Sequence, residues 1–594
     1  MRTFMPIVSR DCMAIDESAA LADAWPVMSL EDAHSIMTRP GSPFEIEQLN
    51  IRGVDTRVWK NGIPTLREVF LAGRTHGDKT FLIYENDRVS YEAFTRATLA
   101  LAHELLSRGL QKGDRVAIAM RNLPEFVVSF FATTIVGGIA TPLNAWWTAP
   151  ELHYGLTDSG ARFAIVDAER LTRVAEQLLG CTGLEHIFVC RATTAPIQDS
   201  RAVRLESLIG GPELWHELPE LPIPDVKLHP EDDASIFYTS GTTGLPRGAL
   251  GTHRNATSNI MAAAFASARA FVRRGERPPD ANPTALRRCT LLTIPLFHTT
   301  ACLATLVSAL FAGGALVLMR RWDPELALQL IEREHITVVS GVPTIAWQLI
   351  EHPSRDQYDL SSLQNVFWGG APSSPELVRQ VREAFPNAMP GSGWGMTETS
   401  AATTNFLDED YLQHPESCGP ALPVCQLKVT GASGEILPAG AVGDLWVTGP
   451  NIVKGYWNDP KATAANFVDG WVRTGDVGRV DAEGFCYILD RAKDIVIRGG
   501  ENIYCVEVEN ALFEHPAVVD AAIVPVPHRT LGEEPGAVVT LKRDAQASEP
   551  ELKAFVGARL APFKVPARIL FWPEPLPRNA NGKILKRELK KMFE

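Results

Sequence analysis

The apolar run Ala234-Ser-Ile-Phe-Tyr238 feeds straight into Thr239-Ser-Gly-Thr-Thr-Gly-Leu-Pro-Arg-Gly248, and few folds accommodate that junction. A strand that ends in a loop of glycines, hydroxyls and one cation is suited to meeting an anion at the end of a sheet. Gly241, Gly244 and Gly248 allow positive φ and a close approach of backbone N–H groups, Thr239, Ser240, Thr242 and Thr243 add hydroxyl donors, and Arg247 adds fixed charge. The segment is not a Walker A loop, because Pro246 and Ala249 stand where that pattern requires its second glycine. Nor is it a nucleophile elbow around Ser240, because Tyr238 occupies the place of the first glycine. An ordinary Ser/Thr/Gly turn is the competing reading, and the strand that precedes it argues against that.

Between about residues 66 and 320, helical periodicity alternates with short Val/Ile/Ala-rich runs such as Arg115-Val-Ala-Ile-Ala-Met120 and Arg162-Phe-Ala-Ile-Val-Asp167. This predicts layered α/β structure with mostly parallel strands. A further unit places a helix over 327–334, a strand over 337–340, a strand over 366–368 ending in Gly369-Gly370-Ala371-Pro372, and a helix after Ser374 with Pro375 in its first turn. After about Pro420 the pattern becomes strands and tight turns, one of them Asp481-Ala-Glu-Gly484, and the last hundred or so residues read as a compact α+β unit. Two uncharged stretches, 126–148 and 299–319, are broken by Gly137-Gly138 and Gly313-Gly314. A buried helix, a C-cap turn and a buried strand explain them better than a membrane span. Residues 266–288, rich in proline and arginine, read as an exposed loop. The expected start of the folded chain is Met28-Ser-Leu-Glu-Asp32.

At 594 residues the chain exceeds one core, and its net charge of −13 argues against nucleic-acid or anionic-membrane partners. Nine cysteines without a C-x-x-C pair fit a reducing cytoplasm, and the N-terminus lacks the apolar core of a signal peptide.

Further clusters follow the first loop in order: Gly393-Trp-Gly-Met-Thr-Glu398, Arg473-Thr-Gly-Asp476, Asp490-Arg-Ala-Lys-Asp494 leading into Arg498-Gly-Gly-Glu-Asn-Ile-Tyr504, and Asn581-Gly-Lys583. Together they resemble the adenylate-forming superfamily, in general style its bacterial fatty-acid CoA ligases, from about Leu66 to the C-terminus. The resemblance implies an α/β fold: a large N-terminal domain of layered α/β subdomains plus a β-rich subdomain, then a small mobile α+β C-terminal domain. The expected boundaries are 1–60 for a partly disordered extension, 61–490 for the AMP-binding domain and 491–594 for the mobile domain.

It implies ATP, Mg²⁺ and coenzyme A as cosubstrates and cofactor. Thr239, Ser240, Gly241, Thr242, Thr243, Gly244 and Arg247 would hold the β and γ phosphates, and Gly370, Ala371 and Pro372 the adenine. Glu398 and Thr397 would place Mg²⁺, a hard cation suited to oxygen ligands. Asp476 would accept the ribose hydroxyls with Arg491 in support. Lys583 would bridge the carboxylate and the α-phosphate, His298 would border the carboxylate pocket, and Lys493 would be the hinge. Gly499 and Gly500 would pass pantetheine close to backbone after the small domain swings. Arg247 departs from the family's usual lysine, keeping charge but changing its geometry.

The acid pocket is expected from residues 297–302, 340–343 and 367–371, which are mostly apolar or small and lack a cation for a second carboxylate. The expected substrate is a medium- or long-chain fatty acid, with aryl or steroid side-chain acids as the alternative. The chain ends soon after Lys583, so a freestanding CoA ligase is expected rather than a multidomain peptide synthetase, with an acyl-AMP ligase serving a separate carrier protein as runner-up. The expected partners are the small-molecule carboxylic acid, ATP and CoA, without nucleic acid or a membrane span, and a homodimer is left open.

Overall fold

The computed structural model describes residues 25–192, 199–239, 245–278, 287–370, 373–580 and 582–593. Two large sheets form the body of the protein. In the first, Arg115–Ala119, Ile139–Pro142, Phe163–Asp167, His186–Cys190, Ala202–Arg204 and Asp233–Tyr238 run parallel, and Gly248–Thr252 closes one edge antiparallel to Asp233–Tyr238. In the second, Thr80–Tyr84, Ala315–Leu318, Cys289–Leu292, Val338–Gly341, Asn365–Gly369 and Met389–Met396 run parallel between antiparallel edges Asp87–Ser90 and Ala401–Leu407.

Helices shared by the two sheets fill the space between them. Every residue of Pro124–Thr134 is buried. Its Phe126, Phe130 and Phe131 join Leu101, Leu306 and Leu310 from other helices, with Ile118 and Phe163 from one sheet and Leu82 and Leu316 from the other. The strands are therefore covered on both faces, which is why they read as continuous apolar runs rather than alternating ones. Both uncharged stretches resolve as expected. The first is the end of Pro124–Thr134, a turn with Gly137 at φ 80°, and the strand Ile139–Pro142. The second is a π-helical segment Thr300–Leu306 continuing into Val307–Ala312, capped by Gly313 at φ 78°, then the strand Ala315–Leu318. Among the described residues no helix is long and apolar enough to cross a membrane.

The β-rich part is an antiparallel sheet of Gly419–Pro420, Phe485–Arg491, Trp471–Val480, Gly443–Thr448 and Gln426–Thr430, with Phe467–Val468 pairing off Trp471–Val480. The C-terminal unit packs the helices Cys505–Phe513 and Glu549–Gly557 on a sheet built around Val518–His528 and Gly532–Leu541. Gly532–Leu541 runs antiparallel to Val518–His528, with Pro535 opposite Pro525.

The loop expected over 266–288 requires correction. Residues 266–273 continue the helix His253–Arg273, while 279–286 lie outside the described residues. Arg269 and Arg273, which made the stretch look solvated, are 1 % and 2 % exposed. Arg273 pairs with Asp410 at 2.7 Å and donates to the Met28 carbonyl, while Arg269 donates to the Asn405 carbonyl and lies 3.3 Å from His34 Nε2. The N-terminal segment supplies part of this packing. Ser29 caps the helix Leu30–Thr38, and its Ala33 and Met37 join Phe265 and Trp59, the last from the hairpin Ile46–Ile51/Val54–Trp59. Eight cysteines among the described residues are free thiols.

Candidate active site

The carboxyl ends of the parallel strands of the second sheet open into a cleft of about 2000 Å³ between the main body and the C-terminal unit. Ligands of open α/β sheets gather at such ends. The cleft brings together Thr239, Arg247, His298, Gly370, Thr397, Glu398, Asp476, Arg491, Lys493 and Lys583. Ser240, Gly241, Thr242, Thr243, Gly244, Ala371 and Pro372 lie outside the described residues. Gly499 and Gly500 are not among the cleft residues. They form an exposed two-residue turn, with φ of 60° and 93°, between Val496–Arg498 and Glu501–Ile503.

The stem of the glycine-rich loop is closed by the Thr239 N–H donating to the Arg247 carbonyl at 2.8 Å, and Tyr154 donates to the Pro246 carbonyl at 3.0 Å. Arg247 leans on Asp459 at 3.3 Å and over the Tyr456 ring at 5.5 Å. With its side chain 44 % exposed, the guanidinium stays at the mouth of the cleft.

Asp476 is buried on Trp471–Val480, directly opposite Arg491 in the sheet. Its Oδ1 pairs with Arg491 Nε at 2.6 Å and its Oδ2 accepts from Trp394 Nε1 at 3.0 Å. Burial raises its carboxyl, opposed by Arg491, Trp394 and Lys583. A buried carboxylate with both oxygens engaged by donors is preorganised to accept hydroxyls in their place. Arg491 is therefore a cleft residue bonded to a buried partner, not half of a loose surface pair.

Glu398 lies in the short turn Thr397–Thr399, after which Ser400 and Ala401 adopt φ of 49° and 93°. Positive φ at adjacent non-glycine residues is strain of the kind found at functional sites. A Cβ on Gly395 would sit 1.6 Å from the Ala401 carbonyl oxygen, so this turn excludes any other residue there. Burial raises the Glu398 carboxyl, and the Tyr456 hydroxyl, donating to Oε1 at 2.7 Å, opposes the rise. Among the described residues no group of His, Cys, Asp and Glu forms a closed metal cage. One buried carboxylate beside a hydroxyl residue, facing an open cleft, fits Mg²⁺, which keeps water and phosphate oxygens as its other ligands.

His298 borders the cleft just before the π-helical segment. Its Nε2 is shielded from solvent and has no hydrogen-bond partner among the described residues, and burial lowers its pKa to about 3. The ring is a neutral wall, not a cation. Of the segments expected around it, Thr299, Thr300, Val342, Pro343, Gly369 and Gly370 line the cleft, whereas Phe297 and Cys302 are buried in the main core.

Lys583 reaches the cleft from a turn of the C-terminal unit. Its N–H donates to Asn579 Oδ1 at 3.0 Å, and the Asn579 N–H returns a bond to the Lys583 carbonyl at 2.9 Å. A Cβ on Gly582 would lie 2.6 Å from Val342 Cγ2, so glycine lets the turn press against the main body. Burial, and secondarily Arg491, lowers the Lys583 pKa to about 8. Lys493 lies in the connection between the β-rich sheet and the C-terminal sheet, at the cleft edge. Tyr456 and Trp394, which hold Glu398 and Asp476, carry no assigned role in the sequence motifs. The first sits in Gly455-Tyr-Trp-Asn-Asp-Pro460, a glycine- and aromatic-rich junction that could have drawn attention, and the second inside a motif already noted.

The strand-end cleft thus gathers a buried carboxylate with its arginine partner, a second buried carboxylate and a lysine delivered by a separate unit. The chain belongs to the AMP-binding enzyme family: residues 70–457 match the AMP-binding enzyme model and 507–583 match the AMP-binding enzyme C-terminal domain. It is 34 % identical over 532 residues to a long-chain-fatty-acid–CoA ligase of Bacillus subtilis (strain 168), covering 86 % of this chain and 91 % of that one. It is likewise 34 % identical over 508 residues to a feruloyl-CoA synthase of Amycolatopsis sp, covering 85 % and 94 %. Among solved structures, ATP-bound MatB from Rhodopseudomonas palustris matches with a TM-score of 0.73 at 30 % identity, over 88 % of this chain and 99 % of that one. The anthranilate CoA ligase AuaEII in complex with anthranoyl-AMP shares the fold, with a TM-score of 0.77 at 24 % identity over 89 % and 97 %. Relatives of this kind are acid–thiol ligases, and the chain is an enzyme of that class.

Proposed function

We propose that the protein activates a hydrophobic monocarboxylic acid in two half-reactions, forming an acyl-AMP and then an acyl-CoA. The observation that carries this reading is Lys583 lying in one cleft with Asp476, Arg491, Glu398 and His298. In the first step a carboxylate oxygen attacks the α-phosphorus and the bond to pyrophosphate breaks. Positioning and neutralisation of charge are what such a step requires of a protein. Asp476 would exchange the Trp394 N–H for ribose hydroxyls, Arg247 and the glycine-rich loop would hold the leaving phosphates, and Lys583 would span the attacking carboxylate and the α-phosphate. Thr397 and Glu398 would hold Mg²⁺, which when bound offsets phosphate charge. In the second step the CoA thiolate attacks the acyl carbon and AMP leaves. Gly499 and Gly500, outside the cleft here, would take part only after the C-terminal unit turns about Lys493.

The acid wall supports a hydrophobic substrate, because Thr299, Thr300, Val342, Pro343, Gly369 and Gly370 offer no cation. A medium- or long-chain fatty acid is the first reading, supported by the Bacillus relative. An aryl acid is the second. It is supported by the feruloyl-CoA synthase and by a rice 4-coumarate–CoA ligase 33 % identical to this chain. Carboxylate-dependent exchange of pyrophosphate into ATP, run over straight-chain, cinnamate-type and steroid side-chain acids, tests both. Exchange with one class names the substrate, and exchange with none contradicts the proposal.

A further inference from the structure

Asp490 lies on Phe485–Arg491, one residue before Arg491, and is 4 % exposed. Its strand belongs to the β-rich sheet of the main body, where Asp490 pairs with Val477 and Arg491 with Asp476. Its Oδ1 accepts from its neighbour's backbone, Arg491 N–H, at 2.8 Å, and its Oδ2 accepts from the Cys505 N–H at 2.5 Å. Cys505 is the first residue of the helix Cys505–Phe513, and the residue before it, Tyr504, makes no side-chain capping bond. The first turn of a helix leaves N–H groups without intrahelical partners and favours negative charge. Here a carboxylate from the main body satisfies one such group on the C-terminal unit.

The same helix carries Glu509, which pairs with Lys586 at 2.7 Å and accepts from the Ile523 N–H at 2.8 Å. Lys586 opens the helix Lys586–Lys590, immediately beyond the Lys583 turn. It is the main electrostatic support of ionised Asp490, against burial, which lifts the carboxyl to about 6. Cys505 adds a bond from Sγ to the Asp494 carbonyl at 3.0 Å, tying the helix to the connecting segment. The residue before Arg491 is thus bonded to one end of the helix that also holds the base of the Lys583 turn.

Resting on the two-step reading above, we propose that Asp490 is a positioning residue for the first half-reaction. By capping Cys505–Phe513 from across the connection, it clamps the C-terminal unit so that Lys583 lies beside Asp476 and Arg491. The clamp must open before the unit can turn for the thiol step. Asp490 lies at the wall of the cleft with both carboxylate oxygens bonded to backbone N–H groups, and its effect runs through placement of Lys583.

Two variants and two kinds of readout test this. Asp490→Ala removes the cap and the charge, while Asp490→Asn keeps an oxygen that can accept the Cys505 N–H. Each half-reaction is measured separately, as pyrophosphate release without thiol and as thioester formed from supplied acyl-AMP and CoA. Asp490→Ala is expected to slow the first about tenfold or more, as loss of a charge-assisted hydrogen bond implies, and to leave the second within about twofold. Asp490→Asn is expected to recover most of the first. Small-angle scattering of the ligand-free proteins should fit the arrangement described here for the wild type and a more open one for Asp490→Ala. Equal loss of both half-reactions, loss of neither, or unchanged scattering overturns the clamp. If the wild type performs neither half-reaction, the two-step reading fails and scattering alone decides the clamp.

Discussion

Moving from about pH 7 to about pH 9 should slow acyl-adenylate formation roughly tenfold, and the cause is a single ammonium. Burial and the nearby Arg491 lower Lys583 from its ordinary 10.5 to about 8. At about pH 7 some nine-tenths of the enzyme then carries the charged side chain, and at about pH 9 some one-tenth does. If Lys583 must be charged to bridge carboxylate and α-phosphate, kcat/KM for the first half-reaction follows that fraction, since this quantity reports ionisations of the free enzyme. Pyrophosphate release without CoA is the assay, because a thiol would add its own ionisation. Lys583→Arg should lower the plateau but remove the basic limb, as a guanidinium stays protonated throughout. The same shift fixes a stability sign. Between about 8 and 10.5 the unfolded chain binds a proton that the folded one has released, so the cost of holding Lys583 charged is full below about 8 and relieved above it. Lys583→Ala should therefore raise the melting temperature at neutral pH while nearly abolishing adenylation and sparing thioester formation from supplied acyl-AMP. A flat wild-type profile to about pH 10, or a limb that persists in Lys583→Arg, would refute the reasoning.

Asp476→Ala should raise KM for ATP by about tenfold or more, because hydrogen bonds to a charged group are lost; unchanged nucleotide affinity in a titration would remove the ribose role. Tyr456→Phe deletes the donor at 2.7 Å from Glu398 and should raise the Mg²⁺ concentration for half-maximal rate several-fold, about 1 kcal/mol; an unaltered Mg²⁺ dependence would detach Glu398 from the metal. Arg273→Ala leaves Asp410 buried without its partner and should cost about 3–5 kcal/mol in denaturant unfolding; a loss under about 1 kcal/mol would show that the network tolerates rearrangement.

The parts of the fold legible in the sequence were those set by local rules. Glycine pairs ended the buried helices at Gly137 and Gly313 because a left-handed cap admits glycine there. Runs such as Phe163–Asp167 are apolar on both faces because helices cover both. What could not be read depended on partners far away in the chain. Arg269 and Arg273 look like solvated charges until the Asn405 carbonyl, His34 and Asp410 are brought beside them. The site followed the same division. Asp476, Arg491, Glu398 and Lys583 stood in ordered motifs, and the structure gathers them in one cleft. The second oxygen of Asp476 being held by Trp394, and Glu398 by Tyr456, arose from packing between separate sheets and segments.

The most direct test of the central claim is a mass-spectrometric screen of the purified protein with ATP, Mg²⁺, CoA and a panel of fatty, aryl and steroid carboxylic acids, reading AMP, acyl-AMP and acyl-CoA together. A two-step CoA ligase yields AMP and acyl-CoA in equal amounts with a hydrophobic monocarboxylic acid, and accumulates acyl-AMP when CoA is withheld. Acyl-AMP that never passes to CoA would contradict this reading in favour of a carrier-protein acceptor, and the absence of acyl-AMP with every acid would contradict it outright.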